Sequence, residues 1–278
     1  MKLENVIIRI SEMDFNWQLQ VQSTQTLYYF SHNSHIIGTA TIYHWQVKVK
    51  CLYVYIMPRI ARTVASGYPH HVTQRGNYQQ PVFEDESDFR QYLQWLQEYS
   101  TKYTLKIWAY CLMTNHVHFV CVPEKEDSLA RTFNTLHMRY SQYFNQKRKL
   151  KGHLWQGRFY SCILDERHLY AAVRYVETNP VRAGIVRKPH KYQWSSAGSH
   201  VNNEANPILS QDCYLEKEID DWSEYLKEKE EEQAIENIKR CSMTGRPCGN
   251  DSFMKKIETL FGRRLRDLPW GRPNKTNE

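Results

Sequence analysis

The chain has 278 residues, 41% of them hydrophobic and 13% aromatic, enough for one large globular domain or a core with an appendage. No run approaches the ~18 apolar residues a membrane span needs, and no apolar stretch before a small-residue cleavage site marks a secretory signal. Lys and Arg outnumber Asp and Glu by 37 to 30, a surplus that permits binding to phosphates without demanding it.

Seven cysteines stand at 51, 111, 121, 162, 213, 241 and 248 with no CxxC among them, which argues against a zinc ribbon or a thioredoxin-like site. Cys111 and Cys121 fall in apolar runs and are expected to be buried thiols, consistent with a soluble protein of the reducing cytoplasm.

Residues 1–56 carry patches of alternation (Ile7 to Ile10, Trp17 to Val21, Thr39 to Val49) but few turn signals, and no function is assigned to them. At Met57-Pro58-Arg59-Ile60 the texture becomes that of an ordinary protein start. Residues 1–56 therefore read as an N-terminal extension: a translated upstream segment ahead of an initiator at Met57, or a small strand-rich appendage.

From Tyr68 the elements come cleanly. His70 to Arg75 reads as a strand stopped by Gly76-Asn77. Asp85 to Ser87 can cap a helix with Phe89, Tyr92, Leu93, Leu96 and Tyr99 on its apolar face. Strands follow at about 105–112 and 116–122. Asp127 or Ser128 caps a second helix that buries Leu129, Phe133, Leu136, Tyr140 and Tyr143. Residues 152–164 are aromatic and basic with strand character toward the end, and a third helix spans about Glu166 to Asn179, closed by Pro180. The order strand, helix, strand, strand, helix, strand, helix predicts an α+β fold: a ferredoxin-like antiparallel sheet with helices packed on one face, over 57–200. Residues 201–278 read as a helical, charged extension with a solvated helix in 216–240, a helical pattern at Phe253, Ile257, Leu260 and Phe261, and a basic end at Arg263, Arg264, Arg266, Arg272 and Lys275. Gly271-Arg272-Pro273 reads as part of a basic tail.

Chemistry concentrates in Met113-Thr114-Asn115-His116-Val117-His118-Phe119-Val120. On a strand His116 and His118 share one face, roughly 7 Å apart at Cα, close enough to grip one ion. On the third helix Leu169, Ala172, Val173 and Val176 form an apolar stripe. Tyr175 and Asn179, four apart, share one flank of it and can reach the histidine face. Two imidazoles and a side-chain oxygen leave positions open around Mg²⁺ or Mn²⁺, and the ion's charge would favour the phenolate of Tyr175 as a nucleophile toward a phosphodiester.

These residues, with His71-Val72-Thr73-Gln74-Arg75-Gly76-Asn77, Tyr175-Val176-Glu177-Thr178-Asn179-Pro180-Val181-Arg182-Ala183-Gly184 and Trp194-Ser195-Ser196, resemble the REP-associated tyrosine transposases. That family belongs to the His-hydrophobic-His nucleases that act on single-stranded DNA. The resemblance covers about half the chain. It implies a metal-dependent endonuclease and strand-transferase acting through a covalent 5′-phosphotyrosine, with Tyr175 as nucleophile and His116, His118 and Asn179 as metal ligands. Related insertion-sequence enzymes usually have Gln at the third ligand, so Asn179 points to the REP-associated branch and to hairpin-forming palindromic repeats. The candidate DNA contacts are Arg75 and Asn77 at the strand turn, Arg131 and Arg139 on the second helix, Trp155 and Arg158 with Phe159 and Tyr160, and Arg182 beyond the third helix. The partners expected are single-stranded or hairpin DNA and no membrane, with monomer or homodimer left open. The rival reading is a domesticated hairpin-binding protein without nuclease activity.

Overall fold

The computed structural model describes residues 62–229 and 231–266 in full, and five short strands between residues 12 and 50 by their backbone. The chain divides into two units, 1–59 and 60–278. In the first, β1 (Glu12–Met13) pairs with β2 (Asn16–Trp17), and β3 (Thr26–Phe30), β4 (Ile36–Tyr43) and β5 (Gln46–Lys50) form an antiparallel meander. The alternation at 39–49 thus falls on β4 and β5. The patch at Ile7 to Ile10, Met57, and the basic tail from residue 267 onward lie outside the described residues.

The second unit is built on four strands, β6 (His70–Arg75), β7 (Leu105–Met113), β8 (His116–Pro123) and β9 (Tyr160–Ile163), all antiparallel in the order β7-β8-β6-β9. Two long helices cover one face of this sheet. The first, α1 (Glu86–Lys102), opens on a capping box in which Asp85 and Asp88 satisfy each other's backbone N–H groups. The second, α2 (Ser128–Arg148), ends on Lys149 in the left-handed conformation. Val117, Phe119 and Cys121 point into this layer and meet Tyr92, Leu96, Phe133, Leu136 and Tyr140.

This is the expected antiparallel sheet with helices on a face, and the structure adds a second layer. Helix α3 (Glu166–Glu177) lays Leu169, Ala172, Val173 and Val176 against Val120 and Val122, the opposite side of β8. The strands are buried on both sides, so their outward residues need a cover of their own. Beyond α3 come four single-turn or two-turn helices: α4 (Asn179–Arg182), α5 (Ala197–Asn202), α6 (Leu215–Glu218) and α7 (Trp222–Tyr225). Two longer helices, α8 (Glu232–Thr244) and α9 (Asp251–Phe261), complete the described chain.

Two expectations are corrected here. The Glu- and Lys-rich stretch 216–240 is not one solvated helix: it breaks into short turns, and α8 packs Ala234, Ile235, Ile238, Cys241 and Ser242 inward, next to β9. Its apolar residues recur at helical spacing, a stripe masked by the surrounding charge. The third helix ends at Glu177 rather than Asn179. Pro180 cannot donate to a continuing helix, so Thr178 caps α3 and Asn179 starts a new turn with Pro180 at its second position.

Candidate active site

The His116/His118 pair sits on the sheet face covered by α3. In the strand register Thr73 and Cys111 stand opposite His118, and Arg75 and Met113 opposite His116. His118 is buried and His116 half-buried, their ring centroids 5.0 Å apart at 89°. Asn115 Oδ1 lies 2.6 Å from His116 Nδ1 and accepts its proton, which leaves Nε2 with a free lone pair. Burial, reinforced by Arg75 and Arg182, lowers the His116 pKa to about 4. Burial first, then His71 and His116, holds His118 well below the ordinary imidazole range. Both rings are neutral near pH 7 and available as ligands.

The turn that presents His116 is held from two sides. Gly76 N–H donates to Asn115 O at 2.8 Å, and Val82 N–H to Thr114 O at 2.7 Å. A side chain at Gly76 would place its Cβ 2.3 Å from Gln80 O, so the Gly-Asn stop after β6 is a close backbone approach beside the histidine turn.

Tyr175 projects from α3 into this site. Its ring meets His118 edge-on at 5.3 Å and His71 at 6.0 Å. The Arg182 guanidinium lies 4.1 Å over the same ring, while donating to Tyr175 O at 2.9 Å and Thr178 Oγ1 at 3.2 Å. Lys239 of α8 stands 5.4 Å from that ring. The structure thus brings His116, His118, Tyr175 and Arg182 together. Asn179 is buried two residues past the end of α3, its carbonyl taken by Ala183 N–H at 3.0 Å.

No cluster of three or more His, Cys, Asp or Glu able to hold an ion occurs among the described residues. Two neutral imidazoles, at least one with its lone pair left free by an orienting partner, nevertheless fit a divalent cation.

The DNA-contact candidates separate. Arg75 and Arg158 are exposed, Arg75 directly opposite His116. Asn77 is half-buried and donates its backbone N–H to Leu154 O at 2.8 Å. Arg131 and Arg139 belong to the α1–α2 layer on the other face. Arg131 pairs with Asp127 at 3.3 Å and Arg139 with Glu98 at 3.2 Å, their guanidinium groups over Tyr103 and Trp95. Trp155 and Phe159 are core residues: Trp155 is 7% exposed and donates Nε1–H to His137 O at 3.2 Å, so neither ring offers a face to a base.

Sequence reasoning passed over four residues. His71, His118's neighbour across the sheet, could have been found from the period of two that puts residues 71, 73 and 75 on one face. Ser242 and Lys239 arrive on α8, and nothing local marks them. Glu177 is the fourth: its buried carboxylate accepts from Ser196 Oγ and from His200 Nδ1 at 2.7 Å, joining the end of α3 to the Trp194-Ser195-Ser196 motif. Burial opposes the His200 charge, but Glu177 outweighs it and raises the pKa of that imidazole.

Residues 64–179 match the family model described as "Transposase IS200 like". Among solved structures, a REP-associated tyrosine transposase bound to a REP hairpin is similar over 56% of this chain and 93% of its own, at 17% identity and a TM-score of 0.44. A candidate transposase from Deinococcus radiodurans R1 is similar over 52% and 95%, at 15% identity and a TM-score of 0.31. No curated protein matches.

Proposed function

From the match of residues 64–179 to the IS200-like transposase family model we propose that this protein cleaves and rejoins single-stranded DNA through a covalent bond to Tyr175. The observation that carries this reading is the placement of the Tyr175 ring 5.3 Å from His118, under the Arg182 guanidinium. Tyr175 Oη attacks the phosphorus of a phosphodiester, the Oη–P bond forms and the P–O3′ bond breaks. The phenol's proton ends on the departing 3′ oxygen, and the DNA is left joined as a 5′-phosphotyrosine. The bond energy stays in the ester, so a second 3′-hydroxyl can reverse the step without ATP.

His116, His118 and Asn179 would hold a divalent cation, Mg²⁺ or Mn²⁺, which when bound supplies Lewis-acid polarisation of a phosphoryl oxygen. Arg182 fixes the end of α3 through Tyr175 O and Thr178 Oγ1, and its guanidinium lies 4.1 Å over the Tyr175 ring. Among the candidate contacts, Arg75 and Arg158 are exposed and would follow the DNA backbone. Asn179 in place of the usual Gln favours the REP-associated branch, and with it hairpin-forming repeats as substrate.

The test incubates the full chain with labelled palindromic hairpin DNA and Mn²⁺ and resolves the mixture on a denaturing gel. A covalent adduct that disappears in Tyr175→Phe is expected. Turnover that survives Tyr175→Phe would mean hydrolysis by bound water, and hairpin binding with no adduct would mean a binding module.

A further inference from the structure

The His71 imidazole lies between His118 and the C-terminal helix. His118 Nδ1 is 3.0 Å from His71 Nε2, and His71 Nδ1 is 2.7 Å from Ser242 Oγ. Ser242 Oγ is 3.2 Å from Cys162 Sγ, which in turn is 3.9 Å from the backbone oxygen of Ile238. His71 stands opposite both Val120 and Cys162 in the sheet, so the series crosses β8, β6 and β9 and ends on α8.

The last member gives the series a starting direction. A carbonyl oxygen only accepts, so the Cys162 thiol donates to Ile238 O. With the thiol proton on Ile238 O, the sulfur accepts from the Ser242 hydroxyl. Ser242 Oγ then accepts from His71 Nδ1–H. A neutral His71 protonated at Nδ1 has a bare Nε2, which must accept from His118 Nδ1–H. His118 is left with an unprotonated Nε2, the nitrogen a metal ligand needs.

We infer that His71 and Ser242 are positioning residues that fix His118 in its Nδ1–H tautomer, so that helix α8, outside the family match, forms part of the metal centre. The inference rests on the reading of His118 as a metal ligand. Reversed, the same bonds would put a proton on His118 Nε2 and block it. Each donor is spent on a buried partner, so the ring is held without reliance on solvent.

Two measurements on the full chain test this. In the metal-free protein, nitrogen-15 spectra of the imidazoles, with His118 assigned by its loss in His118→Gln, are expected to give a protonated Nδ1 and a bare Nε2. A protonated Nε2 in the wild type would overturn the inference. Mn²⁺ affinity, followed by electron paramagnetic resonance, is expected to fall about 10- to 100-fold in His71→Leu and in Ser242→Ala. In His71→Gln, whose amide can both accept and donate, it should be largely restored. Thermal melting of each metal-free variant separates loss of fold from loss of orientation. Unchanged Mn²⁺ affinity in folded His71→Leu and Ser242→Ala, with His116→Ala abolishing binding, would sink the inference and leave the metal reading intact. Equal Mn²⁺ binding by wild type and His116→Ala would instead sink the metal reading, while the tautomer spectrum still decides the direction of the bonds.

Discussion

The two faces of β8 do different work. Val117, Phe119 and Cys121 enter a layer of rings between α1 and α2, where Tyr92, Phe83, Phe133 and Tyr140 are fully buried and meet at centroid distances of 5.0 to 6.5 Å. His116 and His118, one residue out of phase, face α3 and α8. There the buried groups include imidazoles, a serine, a thiol and a carboxylate. A closely packed apolar layer supplies stability that is spread over many contacts, whereas a buried polar layer makes specific demands of each partner. A site that must orient individual polar groups needs the second, and a strand with a period of two can offer both at once.

That contrast can be broken most sharply from the packed side. Phe133→Ala should cost about 3–5 kcal/mol in urea unfolding, the range for truncating a buried aromatic, yet leave adduct formation per folded molecule unchanged. A fall in chemistry per folded molecule would mean the faces are not separable. On the polar side, Glu177→Ala leaves His200 and Ser196 without their buried partner and should cost about 3 kcal/mol, the low end for breaking a buried pair. Unlike Phe133→Ala it should also slow adduct formation, because α3 carries Tyr175.

The pH dependence distinguishes the layers by sign. Burial lowers the pKa of His137, in the α1–α2 layer, to about 3 from an unfolded value near 6.5. The unfolded chain alone binds that proton between those values, so stability falls as pH falls below about 6.5, by about 1.4 kcal/mol per unit from this one ring. Replacing His137 with Gln should flatten the acid limb of a pH series of melts. His200 runs the other way. Its pKa is raised, so its contribution is complete below the unfolded value and fades as pH rises through the folded one, a slope that Glu177→Ala should remove. The smallest effect belongs to Arg131→Ala, a half-exposed pair on the layer away from the histidines. Stability should move by less than about 1 kcal/mol, and hairpin affinity in a filter-binding assay should not change, whereas Arg75→Ala should weaken it.

Much of this arrangement is legible in the chain itself. The alternation in 116–122 puts His116 and His118 on one face, and the stripe Leu169, Ala172, Val173, Val176 turns Tyr175 toward the sheet. Asp85 and Pro180 mark where helices begin and end. Trp155 was misleading because an aromatic residue beside arginines has the same composition whether it fills a core or a surface. Residues 232–244 were misleading for the opposite reason, since abundant Glu and Lys hid Ile235 and Ile238.

What the sequence determined alone was the side of each element on which a residue lies, because backbone geometry repeats every 2 residues in a strand and every 3.6 in a helix. What the tertiary structure decided was which residue it faces. His71 meets His118 only through the antiparallel register of β6 on β8, and Ser242 reaches His71 across 171 residues of chain. Glu177 finds Ser196 and His200 only when α3 lies on the sheet. Such pairings depend on long-range packing, whose free energy no local repeat encodes.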